Sequence, residues 1–246
     1  MKYILANWKM YPIVDEAVAL LTDIQAGLLD RVRSGAILPG VIVCPPFVSL
    51  VPLHAVADDG VVRLGAQNCH WEQEGPYTGE VSSAMLQGLV DYVMVGHSER
   101  RTGGETEEQI AGKVAAVAEA GLVPILFVGE DTRGDDPIRQ TEDRLRQGLS
   151  RIDLGRRRVL VAYEPSWAIG AEEAAPTEQI GAVVDHVKTV LRELGTRTPT
   201  VIYGGTVAEQ NIDELARLEV LDGVGATRAS LEARTFLSIV DRLRAV

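Results

Sequence analysis

Eight times along the chain, a short run of apolar and largely β-branched residues is followed by a stretch with helical spacing. No other feature of the sequence restricts the fold as much. The runs are KYILAN, GVIVCPP, VRLGAQN, DYVMVGH, LVPILFVG, RVLVAYEP, PTVIYGG and LDGVGA. Between them, helical spacing covers Val14 to Arg31, a stretch after Phe47, Ser82 to Gly88, Glu105 to Ala120, Asp136 to Arg151, Thr177 to Leu194, Ala208 to Leu218 and Ala229 to Ala245. The strand runs are almost continuously apolar instead of alternating, as expected where both faces of a parallel sheet are buried. Eight such units in 246 residues predict an α/β chain folded as one closed (β/α)8 barrel domain over residues 1–246. A doubly wound open sheet is the alternative. It usually announces a nucleotide with GxGxxG after the first strand, whereas this first strand runs into ANWKM.

Composition narrows the partners. The formal net charge of −11 repels nucleic acid and acidic lipid, so neither is expected as a partner. It leaves room for a small anionic substrate, because local dipoles in a pocket outweigh a distant net charge. No apolar run approaches the ~18 residues of a membrane span, and MKYILANWKM has no small-residue cleavage site of a signal peptide. Cys44 and Cys69 stand alone, without CxxC spacing, which predicts neither a disulfide framework nor a zinc site and places the protein in a reducing cytoplasm. The four histidines, His54, His70, His97 and His186, show no metal-ligand spacing, so no metal is expected.

In a barrel of this kind the chemistry sits at the C-terminal ends of the strands. There the sequence places Asn7 and Lys9 after the first run and His97, Ser98, Glu99, Arg100 and Arg101 after the fourth. Glu164 follows the sixth, Gly204, Gly205 and Thr206 the seventh, and Thr227 and Arg228 the eighth. Singly, each has a plain reading. A strand-end lysine is usually solvated, a lone histidine is usually structural, and Glu99 with Arg100 and Arg101 reads as an ion-pair network. Together, a lysine, a histidine and a glutamate on three strand ends can point into one mouth. Gly204-Gly205 is either a turn or a place where backbone N–H groups approach an anion.

The motifs NWKM, GAQN…YTGEVS, VGHSERR, YEPSWAIG and YGGTV, in this order over nearly the whole chain, resemble the triosephosphate isomerase family. The resemblance implies a TIM barrel that isomerises a small phosphorylated sugar, works without a cofactor and forms a homodimer. It implies Lys9, His97 and Glu164 as catalytic residues, with Glu164 the base and His97 a neutral electrophile, a pairing characteristic of this family. Asn7 would orient substrate, and Glu99 and Ser98 would support the site. Pro165, Ser166, Trp167, Ala168, Ile169 and Gly170 would begin a mobile lid reaching Ala175. Gly170, Gly204, Gly205, Thr206, Thr227 and Arg228 would bind substrate. Thr78, at the tip of the loop from Gln67 to Glu80, would reach the partner subunit's site.

The chain also departs from the family pattern. Its lid reads GAEEAA, with Glu172 and Glu173, where the family has GTGKTA. The fifth strand carries Phe127 where a cysteine is usual. The eighth loop reads DGVGATRASL, so Thr227 and Arg228 replace two glycines whose N–H groups meet phosphate. Intact proton-transfer residues with altered substrate loops lead to the expectation of a four-carbon substrate, L-erythrulose 1-phosphate converted to D-erythrulose 4-phosphate. The alternatives are an authentic triosephosphate isomerase and a barrel that binds sugar phosphate without turnover.

Overall fold

The computed structural model describes residues 2–134, 136–171 and 173–244. Strands β1 Tyr3–Asn7, β2 Gly40–Cys44, β3 Arg63–Ala66, β4 Tyr92–Val95, β5 Val123–Val128, β6 Leu160–Tyr163, β7 Val201–Tyr203 and β8 Gly223–Ala226 close into one barrel in sequence order. Each pairs in parallel with the next, and β8 returns to β1 with Leu5 opposite Gly225. Pro124 lies one residue into β5, near the start of the strand where a missing N–H costs least.

Successive side chains of a strand point to opposite faces, and here both faces are apolar. Leu5, Ile42, Met94, Ile125, Phe127, Leu160 and Ile202 fill the barrel interior. Their neighbours Ile4, Val41, Val43, Val93, Val95, Leu126, Val161 and Val201 face outward and join the helices in a second core. Burying one such side chain contributes about 1.5–3 kcal/mol, so the continuous apolar pattern is the chief force behind the two-layered barrel.

The helices are α1 Val14–Arg33, α2 Phe47–His54, α3 Ser83–Leu86, α4 Ser98–Thr102, α5 Glu107–Glu119, α6 Pro137–Gly148, α7 Thr177–Glu193, α8 Ile212–Ala216 and α9 Ala233–Arg244. The long ones carry their own end signals. Asp15 and Glu16 begin α1 while Arg31 and Arg33 end it, matching the helix dipole. Thr106 and Gln109 form a capping box on α5, and Asp136 caps α6 ahead of Pro137.

Three expected helices are shorter than their spacing suggested. The Ser82–Gly88 stretch is one turn, capped by Ser82 and ended by extended Gln87 and left-handed Gly88. In the Ala208–Leu218 stretch, the Asn211 side chain accepts from Ala208 N–H and donates to Thr206 C=O, so the first residues form a pinned loop. The last stretch opens with a 3-10 turn, Arg228–Leu231, before α9, and Ala245 lies outside the described residues. Helix α4 lies between β4 and the Glu105–Ala120 stretch, where the spacing predicts no helix.

Candidate active site

Asn7, the last residue of β1, is buried, and Lys9 follows two positions later. Lys9 has a φ of 48°, the only left-handed backbone on a non-glycine residue among those described. Two amide side chains hold it there. Asn7 Oδ1 accepts the Lys9 N–H at 3.0 Å. Gln67, just after β3, donates Nε2–H to Lys9 C=O at 2.7 Å and to Cys44 C=O at 2.9 Å. The Lys9 Nζ extends to Glu99 Oε1 at 2.5 Å.

His97 follows left-handed Gly96 at the end of β4 and caps α4. Its Nδ1 accepts the Glu99 N–H at 3.2 Å. A nitrogen that accepts carries no proton, so this ring is neutral with its hydrogen on Nε2. Glu164, the first residue after β6, is 3% exposed. Its Oε2 accepts the Ser98 N–H at 2.7 Å. Its Oε1 lies 2.9 Å from His97 Nε2, but off the line of the ring N–H, and accepts no hydrogen bond. Gly129 is required beside it, because a Cβ there would stand 2.1 Å from Glu164 O.

Phe127 forms the floor. Its ring, 3% exposed, meets His97 edge to face with centroids 5.1 Å apart. Arg101 braces the same region, donating to Gly96 C=O at 2.8 Å and Phe127 C=O at 3.0 Å and pairing with Glu107. Burial, and then the neighbouring Arg144, pull its guanidinium down to about 10, so it stays charged at neutral pH. The expected structural ion pairing of Arg100 and Arg101 is present, Arg100 lying 3.9 Å from Glu105.

Pro165 is buried, Ser166–Ala168 form a 3-10 turn, and Ile169 leads to exposed Gly170 with a φ of 72°. This segment is tied at two places. Glu130, buried after β5, accepts from Trp167 Nε1, Gln179 Nε2 and the Tyr163 hydroxyl. Thr206 donates its hydroxyl to Ala168 C=O at 2.8 Å and lies 3.1 Å from Ala171 C=O. At the far end of the Pro165–Ala175 segment, Ala175 N–H donates to the Tyr203 hydroxyl, which burial pushes up to about 12. Glu173 is exposed, and Glu172 lies outside the described residues.

Gly204 and Gly205 continue β7 beside Glu164. A Cβ on Gly205 would stand 2.2 Å from the Tyr203 hydroxyl, so only glycine fits. Thr227 follows β8, and its C=O accepts from both Ser230 N–H and the Ser230 hydroxyl. Arg228 is exposed and makes neither a hydrogen bond nor an ion pair among the described residues. Thr78 is exposed on its loop.

The structure thus brings Lys9, Glu99, His97, Ser98, Glu164 and Phe127 into one connected group, while Thr206 holds the Ala168 and Ala171 carbonyls. Glu130 and Gln67 escaped the sequence reading. Glu130 offered the same signal as Glu164, a carboxylate directly after an apolar strand.

Comparison with known proteins agrees over almost the full length. The triosephosphate isomerase family profile matches residues 2–243. A protein of Dehalococcoides mccartyi strain CBDB1 is 37% identical over 246 aligned residues, covering 96% of this chain and 94% of its own. One of Synechocystis sp. PCC 6803 is 38% identical, covering 97% of each, and one of Nostoc sp. PCC 7120 is 36% identical, covering 98% of each. All three are named triosephosphate isomerase. The chain belongs to the triosephosphate isomerase family.

Proposed function

We propose that this chain, as one domain, interconverts dihydroxyacetone phosphate and glyceraldehyde 3-phosphate by proton transfer, without a cofactor. The observation that carries this is Glu164: a buried carboxylate with one oxygen held by Ser98 N–H and the other bare, beside a neutral imidazole. The bare oxygen takes a proton from the carbon next to the substrate carbonyl and returns it to the neighbouring carbon. Charge then builds on the substrate oxygens. The Lys9 ammonium and the His97 Nε2–H stabilise it, and the imidazole moves protons between the two oxygens. Asn7 acts on substrate directly and through the Lys9 backbone. The segment from Pro165 to Ala175 closes over the ligand and excludes water.

The relatives are named for the triose reaction, and this favours the three-carbon substrate over erythrulose 1-phosphate. Nothing in the geometry around Thr227 and Arg228 argues for a fourth carbon. Arg228, without a protein partner, instead supplements the phosphate site formed with Gly204, Gly205 and Gly170. Measuring kcat/KM on dihydroxyacetone phosphate and erythrulose 1-phosphate tests this. The triose is the better substrate, and a preference for the four-carbon compound reverses the assignment.

The working unit is a homodimer. Met10, Val48, Val51 and Met85 are 92%, 74%, 63% and 63% exposed. They follow β1, β2 and β3, three neighbours in the barrel, so they crowd one side of the molecule. No described helix is long and apolar enough to cross a membrane. Cytoplasmic location agrees with the free buried thiols of Cys44 and Cys69.

A further inference from the structure

A cavity of about 680 Å³ opens at the N-terminal end of the barrel, opposite the strand ends that carry Lys9, His97 and Glu164. Its size falls within the roughly 300–1,000 Å³ of small-molecule sites. Tyr3, Arg63, Tyr92 and Val123, at the starts of β1, β3, β4 and β5, line it together with Arg158, just ahead of β6. The Tyr3 ring packs on Gly40, where a Cβ would stand 2.8 Å from its Cδ1. That packing fixes the ring in the wall.

The polar groups here are mutual neighbours. Tyr92 senses the charges of Arg158, Asp91 and Arg63 as well as Tyr3, and burial raises its pKa, so its hydroxyl remains a donor. Arg63 is engaged, lying 3.8 Å from Asp59 and 3.6 Å from Asp91. Arg158 is not. It ends a run of three arginines in a chain of net charge −11, and among the described residues it makes no ion pair and no hydrogen bond. The Tyr3 and Tyr92 hydroxyls also hydrogen-bond to no described protein group. Three donors, one of them cationic, therefore border one cavity without acceptors of their own. The two aspartates at its edge keep a second anionic group away from the Arg63 side.

We propose that this cavity binds a small organic acid with a flat body, its single anionic group on Arg158 and the tyrosine hydroxyls and its body against the tyrosine rings and Val123. Carboxylate and phosphate monoester share the required chemistry. This site is independent of the isomerase reading.

The aromatic sulfonate 8-anilinonaphthalene-1-sulfonate is a suitable probe, followed by fluorescence titration of the full-length chain. Wild type binds it saturably at one site per chain. Benzoate or phenyl phosphate displaces it, whichever carries the preferred headgroup. Arg158→Glu weakens binding about tenfold or more, as loss of a charge-assisted hydrogen bond requires, and Tyr3→Phe weakens it less. Both variants keep wild-type isomerase activity and melting temperature. Non-saturable binding, equal affinity in Arg158→Glu, or failure of both acids to displace the probe overturns the proposal.

Discussion

Lys9 sits in a backbone conformation that costs a non-glycine residue about 1–3 kcal/mol. Asn7 and Gln67 hold it there, and the same conformation aims the ammonium at Glu99. Removing Gln67 leaves the Lys9 and Cys44 carbonyls without their donor. Gln67→Ala therefore lowers kcat/KM by about tenfold, the equivalent of one neutral hydrogen bond, while the glycine-compatible Lys9→Gly recovers stability and abolishes turnover. Steady-state kinetics and thermal melts on both variants check this. Glu164→Gln removes the proposed base and lowers kcat by about 10²–10⁴-fold with the fold retained. Near-wild-type turnover would move the proton transfer to another group. That Lys9, His97 and Glu164 would gather was legible in the sequence because ionisable residues at the ends of apolar runs are conspicuous. Gln67 was not, because an amide that serves two backbone carbonyls leaves no pattern in sequence.

The proposed lid and its anchor form one element-level device. Glu130 satisfies three donors from β6, the lid and α7 with a single buried carboxylate. Glu130→Gln exchanges one acceptor oxygen for an NH₂ facing other donors, which costs about 1–3 kcal/mol and releases Trp167. A lower melting temperature and altered Trp167 fluorescence are the expected signs, and unchanged values in both would show the lid is held elsewhere. A second clamp joins α6 to α7, where Glu142 accepts from Arg146 at 2.7 Å and lies 2.6 Å from His186 Nε2. Arg146 first, and His186 second, hold the Glu142 carboxyl below its usual range. A depressed carboxylate stabilises the fold above its unfolded pKa, and that stability is lost as the pH falls through the folded value. Acidification from about pH 6 to pH 3 thus lowers the melting temperature more in wild type than in Glu142→Gln. The difference is small because the clamp is solvent-screened, and parallel curves would show the clamp carries no net stability. Long helices such as α1, α5 and α7 could be read from apolar spacing and end signals. The short α3, α4 and α8 could not, since a left-handed glycine, the His97 cap and the Asn211 side chain, not periodicity, decide where they begin and end.

For the whole molecule, the barrel order explains both where the chemistry gathers and where the apolar surface lies. Strands β1 to β3 are consecutive around the barrel, so the segments leaving them share a side, and that side carries Met10, Val48, Val51 and Met85 in the open. Large apolar side chains left exposed on one side of a barrel are the kind of surface that association covers. Val48 and Val51 are three residues apart on α2, hence on one face of it. The Lys9 loop also starts from β1, so whatever covers Met10 also steadies the backbone that presents Lys9. Val48→Asp places a charge that pairing would desolvate without a partner, a cost of several kcal/mol, and this shifts the proposed homodimer to monomer at micromolar concentration. If Thr78 completes the partner's site, activity falls in parallel with the loss of dimer and returns at high protein concentration. Light scattering and activity measured over the same dilution series separate the cases. A Val48→Asp monomer with full kcat would show that each barrel works alone and that Thr78 serves only its own loop.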